Sequence, residues 1–437
     1  MKKIILNFSL LLNLGIICIF WWDGSGSLFQ GTRSDILIAT ARISGLLSVF
    51  FVLLQLILIG RVKWLEHVYG LDKLSHAHHL TAFLSIFFIF IHALFVTSGY
   101  ALGSSVGFFG QISNFINYFE LLPAMVAMSL FTLVFVSSLV IVFKKLKYEI
   151  WYLVHLFSYL AILLAFEHQM ELGGDFIGNT YFRIYWISLY TFTLGNLFFY
   201  RFFLPAYNFY KHRFTVEKIE QENATTTSIY ISGKNLNKFK YNAGQFAIWK
   251  FLDKQRFLQA HPFSFSSNPN DNLLRITVKN LGDFTSKMSE IKIGTKVVVD
   301  GPHGIFTTKR TKNRKLAFIA GGVGITPIHS ILSNMDQNYQ SILFNCTRTT
   351  QDIIFQKEIP KLKEKNIKII TVLSAEENNQ AENGYMDQEK IKRLAPDYLE
   401  RDFYVCGPKP MMQIVVKELI KLGIAKNKIY FEKFSLG

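Results

Sequence analysis

Cysteine is scarce in this sequence, with three among 437 residues. Cys18, Cys346 and Cys406 lie far apart, and their number is odd. This pattern excludes a disulfide framework, and it also excludes a CxxC metal site. A reducing compartment therefore suits the part of the chain that carries the last two cysteines.

Acidic residues are also few, 31 against 47 basic ones, so that the net charge is +16. Such an excess can indicate a nucleic-acid partner, but here the distribution of the basic residues gives another reason for it. They gather at 2–3, 61–73, 144–147 and 201–213, whereas the segments 23–35, 99–120 and 169–180 contain few. If six membrane spans are drawn, every basic cluster falls on one side. The positive-inside rule then places the N-terminus and the C-terminal half in the cytoplasm, and no nucleic-acid partner is expected.

Long apolar runs dominate the first 209 residues, and a run of about 20 residues is long enough to cross a bilayer. The predicted spans are 4–22, 36–60, 80–100, 121–143, 151–169 and 181–204. We therefore expect residues 1–209 to form a six-helix transmembrane bundle in the cell membrane, with the lipid bilayer as its partner. The first run is too long for the apolar region of a secretory signal, and the charge alternation needs it as a span.

The remaining residues have ordinary globular polarity and divide into two predicted domains. Alternation of apolar and polar residues, as in 228–231, predicts an antiparallel β-barrel domain over residues 210–308. From 309 to 437, apolar strands alternate with helical stretches, which predicts a Rossmann-like α/β domain. The predicted strands are 315–320, 341–345, 367–373 and 402–405, and the predicted helices are 327–335, 387–394 and 410–422.

Histidines within or at the ends of the predicted spans need an explanation, because ionisable side chains are rare in membranes. His78 and His92 are fourteen residues apart, which on an ideal helix returns to within about 40° of the same face after about 21 Å. His155 and His168 are thirteen residues apart on a helix that runs in the same direction. Their spacing leaves them about 140° out of phase, so local tightening, a bend or a rotation between the two ligated groups is required.

Neutral imidazole is a haem ligand, and two imidazoles on one iron leave no open position, which suits electron transfer. The sequence thus predicts two b-type haems, the inner one held by His78 and His155 and the outer one by His92 and His168. A single intramembrane histidine can instead bond a backbone carbonyl of a neighbouring helix, and this interpretation is preferred for His76 and His79.

Arg42, near the outer end of the second predicted span, has two open interpretations. Its long side chain can extend to the outer surface. Alternatively, its guanidinium points inward at a haem propionate or at a small anion beside the outer haem.

Two segments of the predicted barrel suit a flavin. HPFSFSS (261–267) places a rigid proline, a flat aromatic ring and several hydroxyls on a strand, where they could contact an isoalloxazine ring. VKNLGDFTS (278–286) combines a strand, a glycine turn and a helix start, where free N–H groups would hold a pyrophosphate. Either segment alone could be ordinary β structure. The predicted flavin-binding residues are His261, Pro262, Phe263, Ser264, Ser267, Lys279, Gly282, Thr285 and Ser286.

A glycine loop, GGVGITP (321–327), follows an apolar strand and opens a helix, as a dinucleotide-binding loop does. CGPKPMM (406–412) stands in the same context, between a strand and a helix. The predicted nucleotide-binding residues are Gly321, Gly322, Gly324, Thr326, Pro327, Cys406, Gly407, Pro408 and Met411.

These motifs and the two histidine pairs resemble the transmembrane ferric reductase and NADPH oxidase superfamily over nearly the whole chain. The second half is similar to ferredoxin-NADP reductases. The resemblance implies that FAD lies between residues 261–264 and Thr285, and that the phosphates of NAD(P)H rest on residues 321–326. It implies further that Cys406 approaches the nicotinamide, that Arg348 meets a 2′-phosphate and so favours NADPH, and that Phe434 shields the flavin. The segment TARIS around Arg42 is similar to the oxidase pattern, which favours dioxygen as the acceptor.

The expected reaction is hydride transfer from NAD(P)H to FAD, followed by single-electron steps through the two haems to dioxygen, giving superoxide. A ferric or other metal-chelate reductase of the same build is the alternative. A non-catalytic redox or nucleotide sensor, which would consume no NAD(P)H, is a third possibility from another class. The expected partner is a small electron acceptor, either dioxygen or a ferric complex, and the sequence indicates no obligatory protein partner.

Overall fold

The structure of the protein, a computed structural model, describes residues 2–104, 106–142, 146–257 and 259–431. Two of the predicted features, the basic residues at 144–145 and Phe434, lie outside these ranges. The described residues form two compact units. The helical unit lies within 1–69 and 73–198, and the sheet unit within 70–72 and 199–437.

Apolar helices follow one another along the first part of the chain. They are α1 (Lys2–Ser25), α2 (Arg33–Ile59), α3 (Lys63–Tyr69), α4 (Leu71–Gly103), α5 (Phe108–Asn117), α6 (Leu122–Val142), α7 (Tyr148–Leu172) and α8 (Thr180–Leu197). A π-helical turn (Phe198–Phe203) and α9 (Leu204–His212) follow α8.

Five helical stretches among the described residues are long and apolar enough to cross a membrane. They are Lys2–Gln30, Arg33–Ile59, Leu71–Gly103, Phe119–Ile141 and Glu149–Leu172. Large apolar side chains face outward from several of them, for instance Ile4 with 72% exposure and Leu163 with 65%. Such faces need lipid rather than water around them, so the helical unit is a membrane domain. The sixth predicted span, 181–204, corresponds to α8 and the π-helical turn, and the count of six remains a prediction.

The core of the helical unit lies between α1, α2 and α8. Ile17, Phe182 and Trp186 are fully buried there. The Trp21 indole N–H donates to the Ala39 carbonyl oxygen at 2.9 Å, which ties α1 to α2. Aromatic rings stack within this core, with the Phe20 and Phe182 centroids 4.7 Å apart. Close packing here holds α2 in a defined position, and α2 carries several groups of the candidate site.

The sheet unit begins with two three-stranded antiparallel sheets. The strands are β1 (Thr215–Asn223), β2 (Thr226–Ser232), β3 (Phe246–Phe251), β4 (His261–Ser264), β5 (Leu274–Lys279) and β6 (Val297–His303). Their orders are β1-β2-β5 and β4-β3-β6. Isolated bridges join Thr215 to Lys296 and Phe265 to Ile276, so that each sheet contacts the other at two edges. Buried side chains such as Trp249 and Phe265 fill the space between the sheets. The expectation of a barrel remains a prediction.

A six-stranded parallel sheet follows, in the order β10-β9-β8-β7-β11-β12. Its strands are β7 (Lys315–Gly321), β8 (Gln340–Thr347), β9 (Ile367–Leu373), β10 (Glu382–Asn383), β11 (Asp402–Cys406) and β12 (Ile429–Phe431). The helices of the sheet unit after α9 are α10 (Asp283–Ser286), α11 (Ile325–Asn334), α12 (Gln388–Leu394) and α13 (Lys409–Lys421). The strands and helices predicted from 315 onward are confirmed to within two residues at each end. The sequence did not predict β10 and β12.

Candidate functional site

The four histidines expected to bind metal form two pairs between α4 and α7. The ring centroids of His78 and His155 are 6.3 Å apart, and those of His92 and His168 are 6.4 Å apart. These are the pairs that the spacing along the two helices predicts. Each pair could hold one metal ion between two imidazole nitrogens, since imidazole is a common metal ligand.

Backbone carbonyls of α2 orient both histidines of α4. His92 Nδ1 lies 2.8 Å from the Ala41 carbonyl oxygen, and His78 Nδ1 lies 3.4 Å from that of Gln55. With Nδ1–H donating to a carbonyl, Nε2 carries the lone pair. Such a contact fixes both the tautomer and the ring orientation of a metal-binding histidine.

The histidines of α7 are held differently. His155 Nδ1 lies 3.5 Å from the Ser138 hydroxyl, which also accepts a hydrogen bond from the Trp151 indole at 3.1 Å. His168 Nδ1 is buried and has no hydrogen-bond partner among the described residues. The helix is α-helical throughout Tyr148–Leu172, so a local tightening does not explain how both rings reach α4.

Gly45 on α2 leaves the space that the His92 ring occupies. A Cβ at position 45 would lie 2.8 Å from His92 Nδ1 and 3.1 Å from Cε1. These distances are too short for non-bonded atoms, so a side chain here would push the ring away. The sequence alone did not indicate this role of Gly45.

A cavity of about 830 Å³, called the outer cavity below, is lined by both His92 and His168. Its walls come from α2, α4, α5, α6, α7, α8 and the segment between α7 and α8. Most of the lining is apolar, and this volume is ordinary for a site that binds a small molecule or cofactor.

Arg42 lines this cavity and is held by a polar pair. Its Nη1 lies 3.2 Å from the Ser25 hydroxyl and 3.6 Å from Asp175 Oδ1, and Ser25 donates to the same carboxylate at 2.5 Å. Burial raises the pKa of Asp175, and the hydrogen bonds and positive charge of these two partners offset part of that rise. The Arg42 side chain is 31% exposed, so its guanidinium is open to the cavity as well as paired. Ser25 and Asp175 were not predicted, since they are 150 positions apart in the sequence.

In the sheet unit, the two predicted flavin segments lie side by side. The His261 ring stacks on Phe284 with centroids 3.8 Å apart, and Phe263 lies parallel to Phe284 at 6.4 Å. Burial lowers the pKa of His261, which favours its neutral form. Pro262 pairs with Ile248 of β3, so the segment is fixed on the sheet.

The hydroxyls of these segments have local partners. Thr285 Oγ1 accepts hydrogen bonds from the N–H groups of Leu281 and Gly282, at 2.9 and 3.0 Å, so those two donors are already paired. Ser267 is buried, and its hydroxyl accepts from the Arg275 N–H at 3.0 Å. The other predicted residues are placed as follows: Ser264 buried on β4, Lys279 at the end of β5, and Ser286 at the end of α10.

The predicted nucleotide-binding residues meet at the carboxyl edge of the parallel sheet. Gly321 ends β7, Cys406 ends β11 and Arg348 follows β8, and these three strands are neighbours in the sheet. Arg348 is exposed. This edge is where open α/β sheets bind their ligands.

Glycine is required in this loop because the backbone packs closely. A Cβ on Gly324 would lie 2.3 Å from the Cys406 carbonyl oxygen, and one on Gly321 would lie 2.3 Å from Met411 Sδ. A Cβ on Gly407 would lie 3.0 Å from the Gly321 Cα. Gly322 differs, since it has a φ of +53° and nothing within 4 Å of its Cβ position. It therefore leaves an open face of backbone, which a phosphate could approach at the start of α11. Thr326 and Pro327 are buried in the first turn of α11, and Pro408 precedes α13.

A charged cluster that the sequence did not reveal connects the antiparallel sheets with the parallel sheet. Arg275 Nη1 lies 2.6 Å from Glu358 Oε1, and His329 Nε2 lies 3.2 Å from Oε2 of the same carboxylate. Burial alone would raise the pKa of Glu358, but hydrogen bonds from His329 and Arg275 lower it to about 2. Arg275 also lies over the Phe355 ring at 4.6 Å. Arg275, His329 and Glu358 are 83 positions apart at most, and nothing in their local sequence marks them as partners.

Comparison with known families matches three models to successive segments. Residues 44–166 match the ferric reductase like transmembrane component. Residues 211–307 match an FAD-binding domain, and residues 318–417 match an oxidoreductase NAD-binding domain.

Curated relatives match about half of the chain. A flavohemoprotein from Oceanobacillus iheyensis is 29% identical over 238 residues, which are 51% of this chain and 58% of the relative. The glycine betaine monooxygenase reductase subunit of Chromohalobacter salexigens is 26% identical over 238 residues, 51% of this chain and 64% of the relative. The chain thus spans less than two thirds of the length of these relatives.

Solved structures also match about half of the chain. The FAD/NAD binding domain of nitric oxide dioxygenase from Vibrio cholerae has a TM-score of 0.45 and 24% identity, covering 50% of this chain and 96% of that domain. A ferredoxin NADP+ reductase from Neisseria gonorrhoeae with bound FAD and NADP has a TM-score of 0.46 and 19% identity, covering 51% and 99%. With the three family models in succession, the chain has the domain architecture of the transmembrane ferric reductase and NADPH oxidase superfamily, with ferredoxin-NADP reductase-like FAD and NAD domains.

Proposed function

We propose that the protein is a transmembrane NAD(P)H oxidoreductase that moves electrons from NADPH, through FAD and two b-type haems, across the membrane to dioxygen, which becomes superoxide. The observation that carries this proposal is the pair of histidine contacts between α4 and α7, at 6.3 and 6.4 Å.

These distances fit one metal ion held between the two imidazoles of each pair. With a metal–nitrogen distance of about 2 Å and about 1.2 Å from nitrogen to ring centre, two opposite imidazoles have centroids ~6.4 Å apart. The carbonyl contacts of His78 and His92 leave Nε2 available, as a haem ligand needs. We assign His78 and His155 to the inner haem and His92 and His168 to the outer haem.

The residues of the chain then have the following roles. The four imidazoles would hold the two haems, and two imidazoles on one iron would leave no open position, so the acceptor would take its electron without binding metal. Arg42 presents a positive charge to the cavity beside the outer pair, where an anionic product or ligand would be stabilised. Bound FAD would convert the two-electron donor NADPH into single electrons, and the haems would carry them.

In the sheet unit, we assign binding rather than chemistry to most of the motif residues. Residues 261–264 and Thr285 would contact the flavin, and the glycine loop 321–326 would hold the nucleotide phosphates. Cys406 would lie beside the nicotinamide, and Arg348 would favour the 2′-phosphate of NADPH, because a guanidinium binds phosphate through two parallel hydrogen bonds. Phe434 is proposed to shield the flavin.

We further propose six spans, with the N-terminus and the sheet unit in the cytoplasm. The distribution of the basic clusters supports this orientation. Besides the five long apolar helices, α8 and the π-helical turn would supply the sixth crossing. Labelling of single cysteines introduced in the segments 23–35 and 61–73 of intact cells would test it. A reagent that does not cross membranes should label only the first of these segments.

Absorption spectroscopy of the purified protein tests the proposed function. Addition of NADPH under nitrogen should produce the reduced bands of b-type haem, and admission of air should reverse them. Variants His92→Leu and His155→Leu should each lose part of the pigment, and Trp64→Phe serves as a control outside both pairs. A protein without Soret absorption, even when haem is supplied during expression, would refute the proposal.

A metal-chelate reductase of the same build is the second candidate function. The matched transmembrane model favours it, because the family that this model describes is ferric reductase like. Reduction of cytochrome c that superoxide dismutase inhibits would support the oxidase. Reduction of a ferric chelate without oxygen, insensitive to dismutase, would support the reductase.

A further inference from the structure

Most polar side chains that line the outer cavity are already hydrogen-bonded within the protein. Arg42 is paired with Ser25 and Asp175, as described above. The Gln169 carbonyl oxygen accepts from the Trp186 indole at 2.7 Å, and its amide nitrogen donates to the Ala165 carbonyl at 2.7 Å. The hydroxyls of Ser48 and Thr97 each donate to a carbonyl of their own helix. The donors of Gln169, Ser48 and Thr97 are therefore already used, whereas the guanidinium of Arg42 is still partly open to the cavity.

Gln111 on α5 is the exception among the buried polar side chains of this lining. It is 8% exposed, and its side-chain amide makes no hydrogen bond to any residue of the described ranges. The oxygen and nitrogen of this amide keep some accessible surface, so they border open space. A buried amide without a partner is unfavourable, so an amide that faces a cavity indicates a ligand there.

The helix that carries Gln111 is anchored so that this side chain faces inward. Phe108, Ile112 and Phe115 of α5 line the same cavity. On the other side of the helix, Phe109 is 83% exposed and Ile116 is 52% exposed. The apolar residues of α5 thus divide between the cavity wall and the exposed surface. The position of Gln111 is thus set by packing rather than by its own hydrogen bonds.

We propose that Gln111 is a positioning residue for the electron acceptor, and that its amide N–H donates a hydrogen bond to the oxygen atom of the acceptor that gains negative charge. This inference rests on the proposed function, because it assumes that the acceptor is reduced in the outer cavity. The acceptor gains one electron, supplied by NADPH through the bound cofactors, and no bond is formed or broken. Dioxygen becomes superoxide, or ferric iron in a carboxylate chelate becomes ferrous.

The chemistry of this contact is the same for both acceptors. Superoxide and a chelating carboxylate each present an anionic oxygen, and a fixed N–H donor stabilises charge at the position where it develops. Arg42 supplies positive charge from α2 in the same cavity, and Gln111 supplies a neutral donor from α5. A neutral donor holds the acceptor without trapping the anionic product as a second cation would.

The test uses the full-length protein and measures the last electron transfer by itself. The protein is reduced with dithionite under nitrogen, and the reoxidation of its pigment is followed by stopped flow after mixing with dioxygen or with ferric citrate. Gln111→Met removes the amide at nearly constant size. Asn117→Leu makes the same kind of change on α5 at an exposed amide that bonds only the Ser113 carbonyl of its own helix, and it is the matched control.

We expect Gln111→Met to slow reoxidation roughly tenfold, the order expected for one hydrogen bond to a charged group. Slower reaction with dioxygen alone would support the inference with dioxygen as acceptor, and slower reaction with ferric citrate alone would support it with a chelate. Gln111→Glu should slow both reactions further, because it places a negative charge beside an anion. Asn117→Leu should react like the wild type.

Two outcomes would overturn the inference. One is that Gln111→Met and Gln111→Glu both react as fast as Asn117→Leu with both acceptors. The other is a shifted midpoint potential or an altered Soret band in Gln111→Met, because the amide would then bond the haem and not the acceptor. If the wild type itself showed no pigment that dithionite reduces, the proposed function would fail, which is a different result from either of these.

Discussion

Gly45 shows how a single residue can decide whether a metal site can form. A methyl group at this position would lie 2.8 Å from His92 Nδ1, which is closer than atoms that do not share a hydrogen bond can approach. We expect Gly45→Ala to displace the His92 ring and to remove the outer haem while the inner haem stays. The pyridine haemochrome spectrum should then give about half of the wild-type haem per protein, on the two-haem assignment made above.

Gly15 provides the control for this substitution. It lies within α1 and has nothing within 4 Å of its Cβ position, so Gly15→Ala adds the same methyl group to a membrane helix without a clash. Its haem content should equal that of the wild type. Full haem content in Gly45→Ala would show that the His92 ring does not need the position that the structure gives it.

Two glycines of the nucleotide loop should respond differently to alanine. At Gly324 the added Cβ would lie 2.3 Å from the Cys406 carbonyl oxygen, so the backbone would have to move. We expect Gly324→Ala to lower the free energy of unfolding by about 3 kcal/mol. At Gly322 the space is open, and only the left-handed conformation at φ +53° is unfavourable, which costs about 1 kcal/mol. Thermal unfolding of the two variants measures the difference. Equal midpoints would mean that close packing against Cys406 does not matter.

Glu358 should make the stability of the sheet unit depend on acid pH. Its pKa is lowered from 4.5 to about 2 in the folded protein, although burial alone would raise it, because His329 and Arg275 bond its carboxylate. A carboxylate with a lowered pKa stabilises the fold above its unfolded pKa, and this contribution disappears as the pH falls towards the folded pKa. The contribution of Glu358 is therefore expected to be complete above about pH 5 and to fall between about pH 4.5 and pH 2.

The variant Glu358→Gln isolates this effect from the other carboxylates. Its unfolding midpoint should lie below that of the wild type at about pH 6, and the difference should shrink as the pH falls to about 3. Glu364→Gln, an exposed position nearby, is the control and should follow the wild type at both values. A difference that stays constant with pH would show that Glu358 does not titrate in this range.

At the scale of helices and strands, the sequence predicts most where one period repeats over a long segment. The apolar runs gave α1, α2, α4, α6 and α7, because a lipid-facing helix is apolar over its whole length. Alternation of strand and helix gave the parallel sheet, and the motifs at the ends of β7 and β11 followed from it. The rise per residue along a helix also predicts that the histidines of α4 and α7 lie at two depths in the membrane, without knowledge of how the helices pack.

The rest of the site depends on contacts that cross the chain. The carbonyls of Ala41 and Gln55 that orient the histidines are backbone groups, which no side-chain pattern can reveal. The sequence predicts only a connection at α5, since its ten residues are too short for a span. Phe108, Gln111 and Phe115 are spaced as residues on one face of a helix, and this pattern could have indicated an interfacial helix. The role of Gln111 appears only when burial and missing partners are considered together.

For the whole molecule, the buried cores follow the division into two units. One core is formed by residues between Ile17 and Leu197, and the other cores by residues between Phe214 and Ile429. The match to the FAD-binding model begins at residue 211 and the match to the NAD-binding model at residue 318, both after the last apolar helix of the first unit. A unit with its own core can fold without the rest of the chain.

We therefore expect the fragment 204–437, which begins at α9, to fold alone and to bind FAD. It should oxidise NADPH with ferricyanide as an artificial acceptor, because ferricyanide takes electrons directly from a reduced flavin. It should have no Soret absorption, since all four histidines of the two pairs lie outside it. The fragment that carries Arg348→Ala should keep its FAD and its activity with NADH but lose affinity for NADPH, because only the latter carries the 2′-phosphate. If the wild-type fragment bound no flavin while the full-length protein did, the division into two independently folding units would be wrong. If the Arg348→Ala fragment used NADPH and NADH as the wild-type fragment does, only the role of that arginine would be contradicted.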